Sequence, residues 1–570
     1  MPRINPRRAD VKAIYEKFAG VGATPNKTEL PVRLLRNFRI LPNGWLEKRS
    51  GWKKILELSK PVRGIFASRV MEYSLYFLFC DDCCYYYLEN FDELVEIPIE
   101  GRNSASPITP FYYHECLYFL DGNDIFYYDG KKFAPAKGYA PLVGIGWDPQ
   151  NGGEVFEHYN LISDRARVNY LTPNGEKEIK LPLFATSVDR VFVDGAEILD
   201  FSFTPYTRDL KLDIETGGSR VDVAFTFLRS DEHRYIRSST VAFVDSFGGQ
   251  DRLLLSGCET AFESFLARPL PDLMESGNLA SYPDGDALYI SRDSIMTIGD
   301  LLHSVNTFYC DHDRILAFTD NQIYASIPTT ESGGVEYYTL LQGMGCSAKM
   351  MNLRVGGDPL ILNTSGLFKL RITVGSRPQL DFERISCPYP ELMDEEIIRR
   401  LIFVQNDAND EVWFRDRLDP AGRVLVYNYR RDCWYEFDNV RASAFLQFGG
   451  HVYFGSEDGL CCFEPDLTTD GDLPFEAVCQ SDFIDFDDPE RQKRSLRMAL
   501  ATESGGNIVN VRLETEHRIR NFEFVGKLGA APDFFDVRAA MGRFRHLSVT
   551  LYDQEPARSR WRRLALFANL

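Results

Sequence analysis

From about residue 62 onward, short apolar runs alternate with turns, and this pattern predicts an all-β fold. Its recurring core is an apolar strand, a polar turn and a second apolar strand. The clearest examples are LYFLDGNDIFYYDG (117–130), ILAFTDNQIYASI (315–327), LILNTSGLFKLRI (360–372) and VYFGSEDGLCCFEPD (452–466). Because one small sheet cannot cover both of its faces, such hairpins are expected to pack round an axis as blades of a β-propeller. The repeats predict about six blades, and a β-sandwich with many hairpins is the alternative fold.

The propeller pattern is interrupted once and ends before the chain does. Blades are predicted over 62–140 and 280–466. Between them, alternating apolar and polar positions and a turn at Pro173-Asn174-Gly175 predict an inserted β-sandwich domain over 141–279. The residue pattern changes again after 466, and 467–570 is predicted to form a C-terminal β-domain.

The start of the chain differs from the rest. Residues 1–34 show little apolar periodicity, which predicts an extended arm that is ordered only by neighbouring proteins, with one short helix in DVKAIYEKFA capped by Asp10. We therefore expect the propeller to fold without the arm. Residues 35–61 are predicted to form a hairpin, because Gly44 can adopt a positive φ in the turn Pro42-Asn43-Gly44.

Composition and charge narrow the possible functions. The chain has 570 residues, of which 44% are hydrophobic, so packed cores are expected and general disorder is excluded. A net charge of −19 argues against a protein that wraps nucleic acid. The sequence has no run of about 18 apolar residues and no secretory signal. It therefore predicts that the protein has no membrane-spanning segment. It also predicts that the protein is synthesised and folds in a reducing cytosol.

The motifs of common enzymes are missing. The sequence contains no G-x-S-x-G, no zinc-binding histidine pair, no P-loop and no dinucleotide fingerprint. His312, between two aspartates, is expected to be a polar loop residue. The twelve cysteines, including Cys80, Cys83 and Cys84 of a C-x-x-C run, are expected to be buried thiols, with a metal or redox site as the alternative. We predict no catalytic residue, no cofactor and no metal site.

One stretch carries a family resemblance. LLRNFRILPNGWLEKRSGWKKI (34–55) resembles the N-terminal signature of a class of bacteriophage virion proteins, in which such a hairpin precedes a propeller with an inserted β-domain. The matching residues are Asn37, Gly44, Leu46, Lys48, Arg49 and Gly51. The segments 160–181 and 474–500 are similar to the start of the insert and to a strand-rich segment after the propeller in those proteins.

The resemblance implies a structural, non-enzymatic component of a phage tail, of the tail nozzle (tail tube B) type or, more loosely, a hub or head–tail connector. It implies a homo-oligomeric ring, hexameric or dodecameric, that extends the DNA-ejection channel. Its partners would be the portal or adaptor, tail fibres or other tail proteins, and passing viral DNA in transient contact. The protein would be made in the host bacterial cytoplasm and located in the virion tail.

The same resemblance gives the hairpin an architectural role. Leu35, Phe38 and Ile40 would pack on the propeller rim, while Arg39, Lys48 and Arg49 would meet a neighbouring subunit or a support ring. The candidate interaction residues are Asn37, Arg39, Gly44, Lys48, Arg49, Gly51 and Trp52.

The acidic balance suggests a ring whose inner surface is net negative, so that phosphates pass without being held. The arginine-bearing segments 1–8 and 557–563 would then face other proteins. The competing hypothesis is a carbohydrate-binding or glycoside-processing propeller with two carboxylates in an aromatic-lined pocket.

Overall fold

The structure is a computed structural model whose chain divides into two compact units. Unit 1 comprises Met1–Ala67 and Leu353–Leu570, and unit 2 comprises Ser68–Asn352. The residues that the structure describes are 10–70, 73–182, 184–213, 217–228, 232–247, 250–258, 263–267, 286, 288–299, 302–311, 314–328, 335–373, 379–503, 506, 508–526 and 533–569. Within them, no helix is long and apolar enough to cross a membrane.

Unit 2 contains four antiparallel four-stranded sheets, each formed by strands that follow one another in the chain. This is the blade unit of a β-propeller. Blade 1 begins with a strand that crosses the boundary between the units and consists of Gly64–Val70, Tyr73–Phe79, Cys83–Leu88 and Glu93–Pro98. Blade 2 consists of Thr109–Tyr113, Cys116–Leu120, Ile125–Tyr128 and Phe133–Pro135. Blade 3 consists of Val241–Phe247, Gln250–Ser256, Ser264–Leu266 and Ile295–Met296. Blade 4 consists of Thr307–Asp311, Arg314–Phe318, Gln322–Pro328 and Val335–Gln342.

Aromatic side chains hold neighbouring blades together. Phe79 of blade 1 contacts Phe119 and Phe133 of blade 2, with ring centroids 5.1 and 5.3 Å apart. All three rings are fully buried. Aromatic and β-branched residues suit a pleated surface that is covered on both sides, and their abundance in these runs explains why the runs form strands.

The insert between blades 2 and 3 is a separate pair of sheets around its own core. The five-stranded sheet has the order Leu142–Trp147, Arg165–Thr172, Ser219–Phe227, Ala185–Val193 and Ala196–Ile198, and the three-stranded sheet has the order Glu178–Lys180, Asp209–Leu212 and Phe201–Thr204. Leu142–Trp147 is an edge strand and pairs in parallel with its neighbour. The insert was predicted to reach residue 279, whereas its last strand ends at Phe227 and the strands that follow Val241 belong to blade 3.

Unit 1 contains three further blades. Blade 5 consists of Arg354–Val355, Asp358–Asn363, Gly366–Thr373 and Gln379–Ile385. Blade 6 consists of Leu401–Asn406, Glu411–Asp416, Val424–Asn428 and Cys433–Phe437. Blade 7 consists of Ala444–Phe448, His451–Ser456, Gly459–Phe463 and, from the start of the chain, Trp52–Glu57.

The propeller prediction is confirmed, and the part of the chain that the structure describes contains seven blades. The count exceeds the expected number because blade 3 begins inside the predicted insert. Blade 7 takes its fourth strand from residues far away in the sequence, as the antiparallel pairing of Phe463 with Trp52 shows. Sequence order alone gives no signal for that pairing.

The C-terminal β-domain is built from both ends of the chain. One sheet continues blade 6 through Val32–Arg36 and then Ala477–Ser481, Leu547–Asp553, Ile508–Thr515 and Ile519–Val525. The other has the order Asp533–Ala539, Arg494–Glu503, Arg560–Asn569, Leu46–Lys48 and Phe38–Ile40, with Asp10–Tyr15 also paired to Arg560–Asn569. The short strands Lys17–Phe18 with Glu29–Leu30 and Thr469–Asp470 with Leu473–Pro474 complete the unit.

The predicted N-terminal arm is wrong for residues 10–34, and so is its helix. Asp10–Tyr15 is a strand that pairs along its whole length with the last strand of the chain. Phe18 and Leu30 are fully buried in unit 1. Tertiary pairing overrides the weak local helix preference here. The rest of the predicted arm, residues 1–9, lies outside the described residues.

Helices in the described residues are short. The α-helices are Glu232–Arg237 and Glu395–Ile398, and the 3-10 helices are Glu89–Phe91, Arg292–Ser294, Pro390–Met393 and Asp407–Asn409.

Candidate functional site: a buried charge cluster at the N-terminal hairpin

The hairpin with the family signature forms as predicted. Phe38–Ile40 and Leu46–Lys48 pair antiparallel, with Phe38 opposite Lys48 and Ile40 opposite Leu46. Gly44 has a φ of 85° in the turn, and its N–H donates to the carbonyl of Leu41. The hairpin then joins the C-terminal sheet, because Leu46 pairs with Trp561. Its charged residues and their partners are called the hairpin cluster below.

Asn37 links three parts of unit 1. It has a left-handed φ of 57°, which asparagine tolerates better than most residues. Its Nδ2 donates to the Oδ1 of Asp438 and to the carbonyl of Glu476, at 2.6 Å each. Its Oδ1 accepts from the Nε of Arg49 at 2.9 Å and from the Asp438 N–H at 3.1 Å. A fully buried amide with this many bonds fixes where the chain enters the hairpin.

Arg49 forms the most enclosed ion pair of the cluster. Its Nη1 and Nη2 donate to the two carboxylate oxygens of Asp470 at 2.8 and 2.6 Å, and both side chains are 0% exposed. The guanidinium also lies over the ring of Phe475 at 3.9 Å. Bidentate pairing and ring stacking together are geometry that arginine, and not lysine, can provide.

Arg39 is held by a fully buried carboxylate of blade 6. Its Nε donates to Oε1 of Glu411 at 2.7 Å, and its Nη2 donates to Oε2 at 3.3 Å. The same carboxylate accepts from the indole of Trp413 and the hydroxyl of Tyr435. Burial lowers the pKa of Arg39, but the charge and hydrogen bond of Glu411, together with the charges of Tyr435 and Glu47, outweigh burial, so that the pKa lies above its usual value. Burial also raises the pKa of Tyr435 well above its usual value, and that hydroxyl therefore remains a donor.

Lys48 points into the C-terminal β-domain. Its Nζ donates to the carbonyl of Glu555 at 2.7 Å and lies 3.5 Å from Oδ1 of the fully buried Asp553. Burial lowers the pKa of Lys48, and the Asp553 charge compensates only in part. A lysine in this position uses its ammonium group to bond the backbone and a carboxylate of the domain, so it has little hydrogen-bonding capacity left for a ligand.

Glu47 faces the other side of the hairpin. Its Oε1 accepts from the Nε of Arg558 at 2.9 Å and from the Nε of Arg560 at 2.6 Å. Burial raises the pKa of Glu47, but the hydrogen bonds from the two arginines dominate and the pKa lies below its usual value. Arg562, on the same strand as Arg560, pairs with Glu503.

The structure contradicts the predicted intermolecular role of these charges. Arg39, Lys48 and Arg49 are buried, and each has a carboxylate partner within unit 1, so none faces a neighbouring subunit. The arginines of the predicted contact segment 557–563 that are described above also pair within the chain. The other predicted segment, 1–8, lies outside the described residues.

The remaining signature residues are structural. A Cβ on Gly51 would lie 1.8 Å from the carbonyl oxygen of Thr469, so this close crossing of two chain segments requires glycine. The Trp52 ring packs edge-on against Phe454 of blade 7 at 5.4 Å. Phe38 packs against Trp561 at 5.8 Å, and therefore the apolar face of the hairpin covers the C-terminal domain.

A cavity of about 240 Å³ lies beside the hairpin cluster. Glu47 is the carboxylate in its lining, together with Arg39, Lys48, Arg49, Ser50, Asn406, Ala408, Asn409, Gly450, His451, Val452, Phe463, Pro465, Leu467, Thr468, Ala557 and Arg558. Because Glu47 is held by two arginines, the lining offers no pair of free carboxylates for glycoside hydrolysis.

The other candidate groups give no site. In the part of the chain that the structure describes, no three His, Cys, Asp or Glu side chains are grouped so that they could hold a metal ion. Cys80, Cys83 and Cys84 are buried free thiols, and burial raises the pKa of Cys84 well above its usual value. His312 lies outside the described residues.

Sequence reasoning missed the acidic half of the hairpin cluster. Glu411, Asp470 and Asp553 lie hundreds of residues from the hairpin, among 83 acidic residues with no motif to distinguish them. Their burial, 0 to 3% exposed, is the feature that separates them from the others, and it exists only in the folded chain.

Comparisons with known proteins do not assign the chain to a family. No protein-family model and no curated protein matches it. Among solved structures, the Neurospora crassa Pan2 WD40 domain is 8% identical and covers 72% of this chain and 95% of its own, with a TM-score of 0.32. The Myceliophteria thermophila Cps50 (Swd1) β-propeller domain is 9% identical over 72% of this chain and 98% of its own, with a TM-score of 0.27. An exo-β-1,3-galactanase from Phanerochaete chrysosporium is 8% identical over 82% of this chain and 98% of its own, with a TM-score of 0.18. Similarities at these scores carry no functional argument.

Proposed function

We propose that the chain is a structural, non-enzymatic subunit of a phage tail, of the nozzle or hub type, and that it assembles into a homo-oligomeric ring in the virion. The ring would extend the DNA-ejection channel and anchor neighbouring tail proteins. The observation that carries the proposal is an exposed apolar surface on the insert, and the N-terminal signature gives the type of assembly.

Large exposed apolar side chains are concentrated in the insert. Of the 21 such residues among those described, eight lie between residues 142 and 228: Ile145, Val155, Phe156, Leu171, Phe184, Leu199, Tyr206 and Leu228. Soluble monomers rarely leave apolar side chains clustered in water, and such clusters mark surfaces that bind another protein.

Four of these residues lie on or beside one edge strand, Leu142–Trp147, and are called the insert edge. Ile145 lies on the strand, and Leu171 lies beside Gly146. The N–H of Phe156 donates to the carbonyl of Val143 at 3.0 Å, which brings Phe156 and its neighbour Val155 to the same strand. Phe156 and Glu157 already bond backbone carbonyls of this strand, so a second copy of the chain would associate through the exposed apolar side chains and not by strand addition.

The hairpin cluster supports a structural role in a different way. Buried ion pairs join the hairpin to the rest of unit 1: the signature residues Lys48 and Arg49 pair with Asp553 and Asp470, and the neighbouring Arg39 pairs with Glu411 of blade 6. Removing one partner of such a pair leaves the other charge buried and unpaired, at a cost of about 3–5 kcal/mol, so positions of the hairpin that separate these partners are disfavoured. A hairpin held in one position is consistent with a structural role for this subunit.

Particle shape tests the proposal. The full-length protein is examined by negative-stain electron microscopy and by light scattering after size exclusion, with a closed hexameric or dodecameric ring expected. Ile145→Asp together with Leu171→Asp should abolish the ring and leave a folded monomer. Leu473→Asp, which places the same charge at a 69% exposed leucine outside the insert, should keep the ring.

Two outcomes would overturn the proposal. One is a monomer at all micromolar concentrations tested, and the other is a ring that survives both substitutions at the insert edge. Hydrolysis of a glycan by the purified protein, lost on replacement of one carboxylate, would favour the glycoside-processing alternative.

A further inference from the structure

The last strands of the larger C-terminal sheet carry polar side chains on one face and apolar side chains on the other. Burial alternates along Ile508–Thr515, where Val509, Val511 and Leu513 are buried and the residues between them are partly exposed. Because side chains of a strand alternate between faces, Asn510 and Arg512 lie together on the partly exposed face.

Pairing with the two neighbouring strands extends this face into rows. Asn510 is opposite Tyr552 on one side and Glu523 on the other. Arg512 is likewise opposite Thr550 and Asn521. Residues directly opposite on antiparallel strands have Cβ atoms about 5 Å apart, so these side chains form a continuous polar surface.

The rows form a groove of about 430 Å³, which is called the polar groove. Its lining residues are Glu476, Asn510, Val511, Arg512, Asn521, Phe522, Glu523, Tyr552 and Gln554. Ligand sites in proteins commonly have volumes of about 300–1,000 Å³, and this groove falls in that range.

Several groups in the polar groove have hydrogen-bonding capacity that the fold leaves unused. The Nε of Arg512 is a buried donor without a hydrogen-bond partner, although its Nη2 lies 3.3 Å from Glu514. Asn521 and Glu523 are exposed and Asn510 is partly exposed, so their polar side chains are accessible to a ligand. A buried donor without a partner costs free energy, which a ligand oxygen at this position would recover.

One rim of the groove is fixed in place. The Nε2 of Gln554 donates to Oε2 of Glu476 at 2.5 Å, and Nη2 of Arg36 donates to Oε1 at 3.1 Å. The carbonyl of Glu476 accepts from Asn37 of the hairpin cluster. A preorganised rim lowers the entropy cost of binding a ligand.

The chemistry of the lining selects the ligand class. Amides, a carboxylate and a guanidinium offer donors and acceptors side by side, which matches a hydroxyl group that both donates and accepts. Glu476 is already paired with Arg36, so Glu523 and Arg512 are the charged groups open to a ligand, and their opposite charges give a polyanion no net attraction. Tyr552 adds an aromatic ring beside the polar groups. We propose that the polar groove binds an uncharged oligosaccharide. This inference does not rest on the proposed phage-tail function.

Saturation-transfer NMR with the full-length protein tests the inference. The probes are millimolar cellobiose, maltose, lactose and N,N′-diacetylchitobiose, with a sulfated heparin disaccharide as the anionic comparison. We expect at least one neutral disaccharide to bind. Glu523→Gln and Tyr552→Ala should each weaken that binding about tenfold or more.

Two control variants make the test specific. Tyr206→Ala removes a tyrosine that is 97% exposed in the insert, and Glu490→Gln neutralises an exposed glutamate of unit 1; both should bind as the unaltered protein does. Glu523 is exposed and the replacement is nearly isosteric, so this variant should remain folded. Binding to none of the neutral disaccharides, binding only of the sulfated one, or binding unchanged in Glu523→Gln and Tyr552→Ala would overturn the inference.

Discussion

Replacing Arg49 by methionine should destabilise unit 1 strongly. The substitution keeps most of the side-chain volume but leaves the Asp470 carboxylate, which is 0% exposed, without its bidentate partner. It also removes the donor to Asn37 Oδ1 and the stacking on Phe475. Asn439 still donates to Asp470 at 3.2 Å, but one neutral donor cannot replace a charge.

The size of the effect follows from the burial of the pair. Removing one partner of a buried ion pair costs about 3–5 kcal/mol, because the remaining charge stays desolvated. For a unit of this size, each kcal/mol lowers the melting temperature by about 2 °C, so a decrease of about 6–10 °C is expected. Replacing both partners, Arg49→Met with Asp470→Leu, should recover much of the loss because no unpaired charge remains.

Denaturant unfolding followed by tryptophan fluorescence measures this change. Five of the six tryptophans, all except Trp147, lie in unit 1. The matched control is Arg497→Met, which breaks a pair with Asp536 whose two side chains are 51% and 48% exposed. This pair should contribute about 0–1 kcal/mol. If Arg49→Met lowers the free energy of unfolding by no more than Arg497→Met does, burial of the Arg49–Asp470 pair does not have the effect expected here.

Three further predictions concern the same unit. Gly51→Ala should destabilise it by about 1–3 kcal/mol, because the new Cβ meets a backbone carbonyl, whereas the control Gly217→Ala, in open space in unit 2, should change the stability of that unit by less than about 0.5 kcal/mol. Deleting residues 10–18 should expose unit 1 to limited proteolysis, since a full-length strand pairing and a buried Phe18 are lost; an unchanged digestion pattern would restore the free-arm hypothesis. Glu47 has a pKa below its ordinary value of 4.5, so its contribution to stability is present above that pH and is lost as the pH falls through the lowered pKa. As the pH is lowered from 7, the free energy of unfolding should therefore decrease less steeply for Glu47→Gln than for the unaltered chain. Equal dependence on pH in the two proteins would contradict this.

Local patterns were sufficient for the all-β fold class and for hairpins between consecutive strands. Alternation and turn residues predicted the hairpin at Gly44, and the structure has its two strands paired antiparallel. The repeated strand–turn–strand runs predicted blades, because six of the seven described blades are formed by strands that are consecutive in the chain; blade 7 is the exception. Where strands pair with their neighbours in sequence, the alternation of apolar and polar residues and the turns between them are enough to predict the pairing.

Long-range pairing was not predictable in the same way. Asp10–Tyr15 was expected to form part of a helix in a free arm, and it is a strand because the last strand of the chain offers it an edge. Trp52–Glu57 completes blade 7 for the same reason. A partner strand that lies hundreds of residues away does not change the residue pattern within a short stretch of sequence.

By itself, the sequence determined an all-β chain, the run of blades, the presence of an insert and a C-terminal β-domain, and the position of the signature hairpin. Only the tertiary structure decided what the hairpin charges do. Arg39, Lys48 and Arg49 are cations that sequence reasoning placed at a protein surface, and each is neutralised inside unit 1 by a carboxylate from a distant segment. The physical reason is that periodicity encodes which face of a strand is apolar, whereas desolvation and charge pairing depend on which strands meet in space.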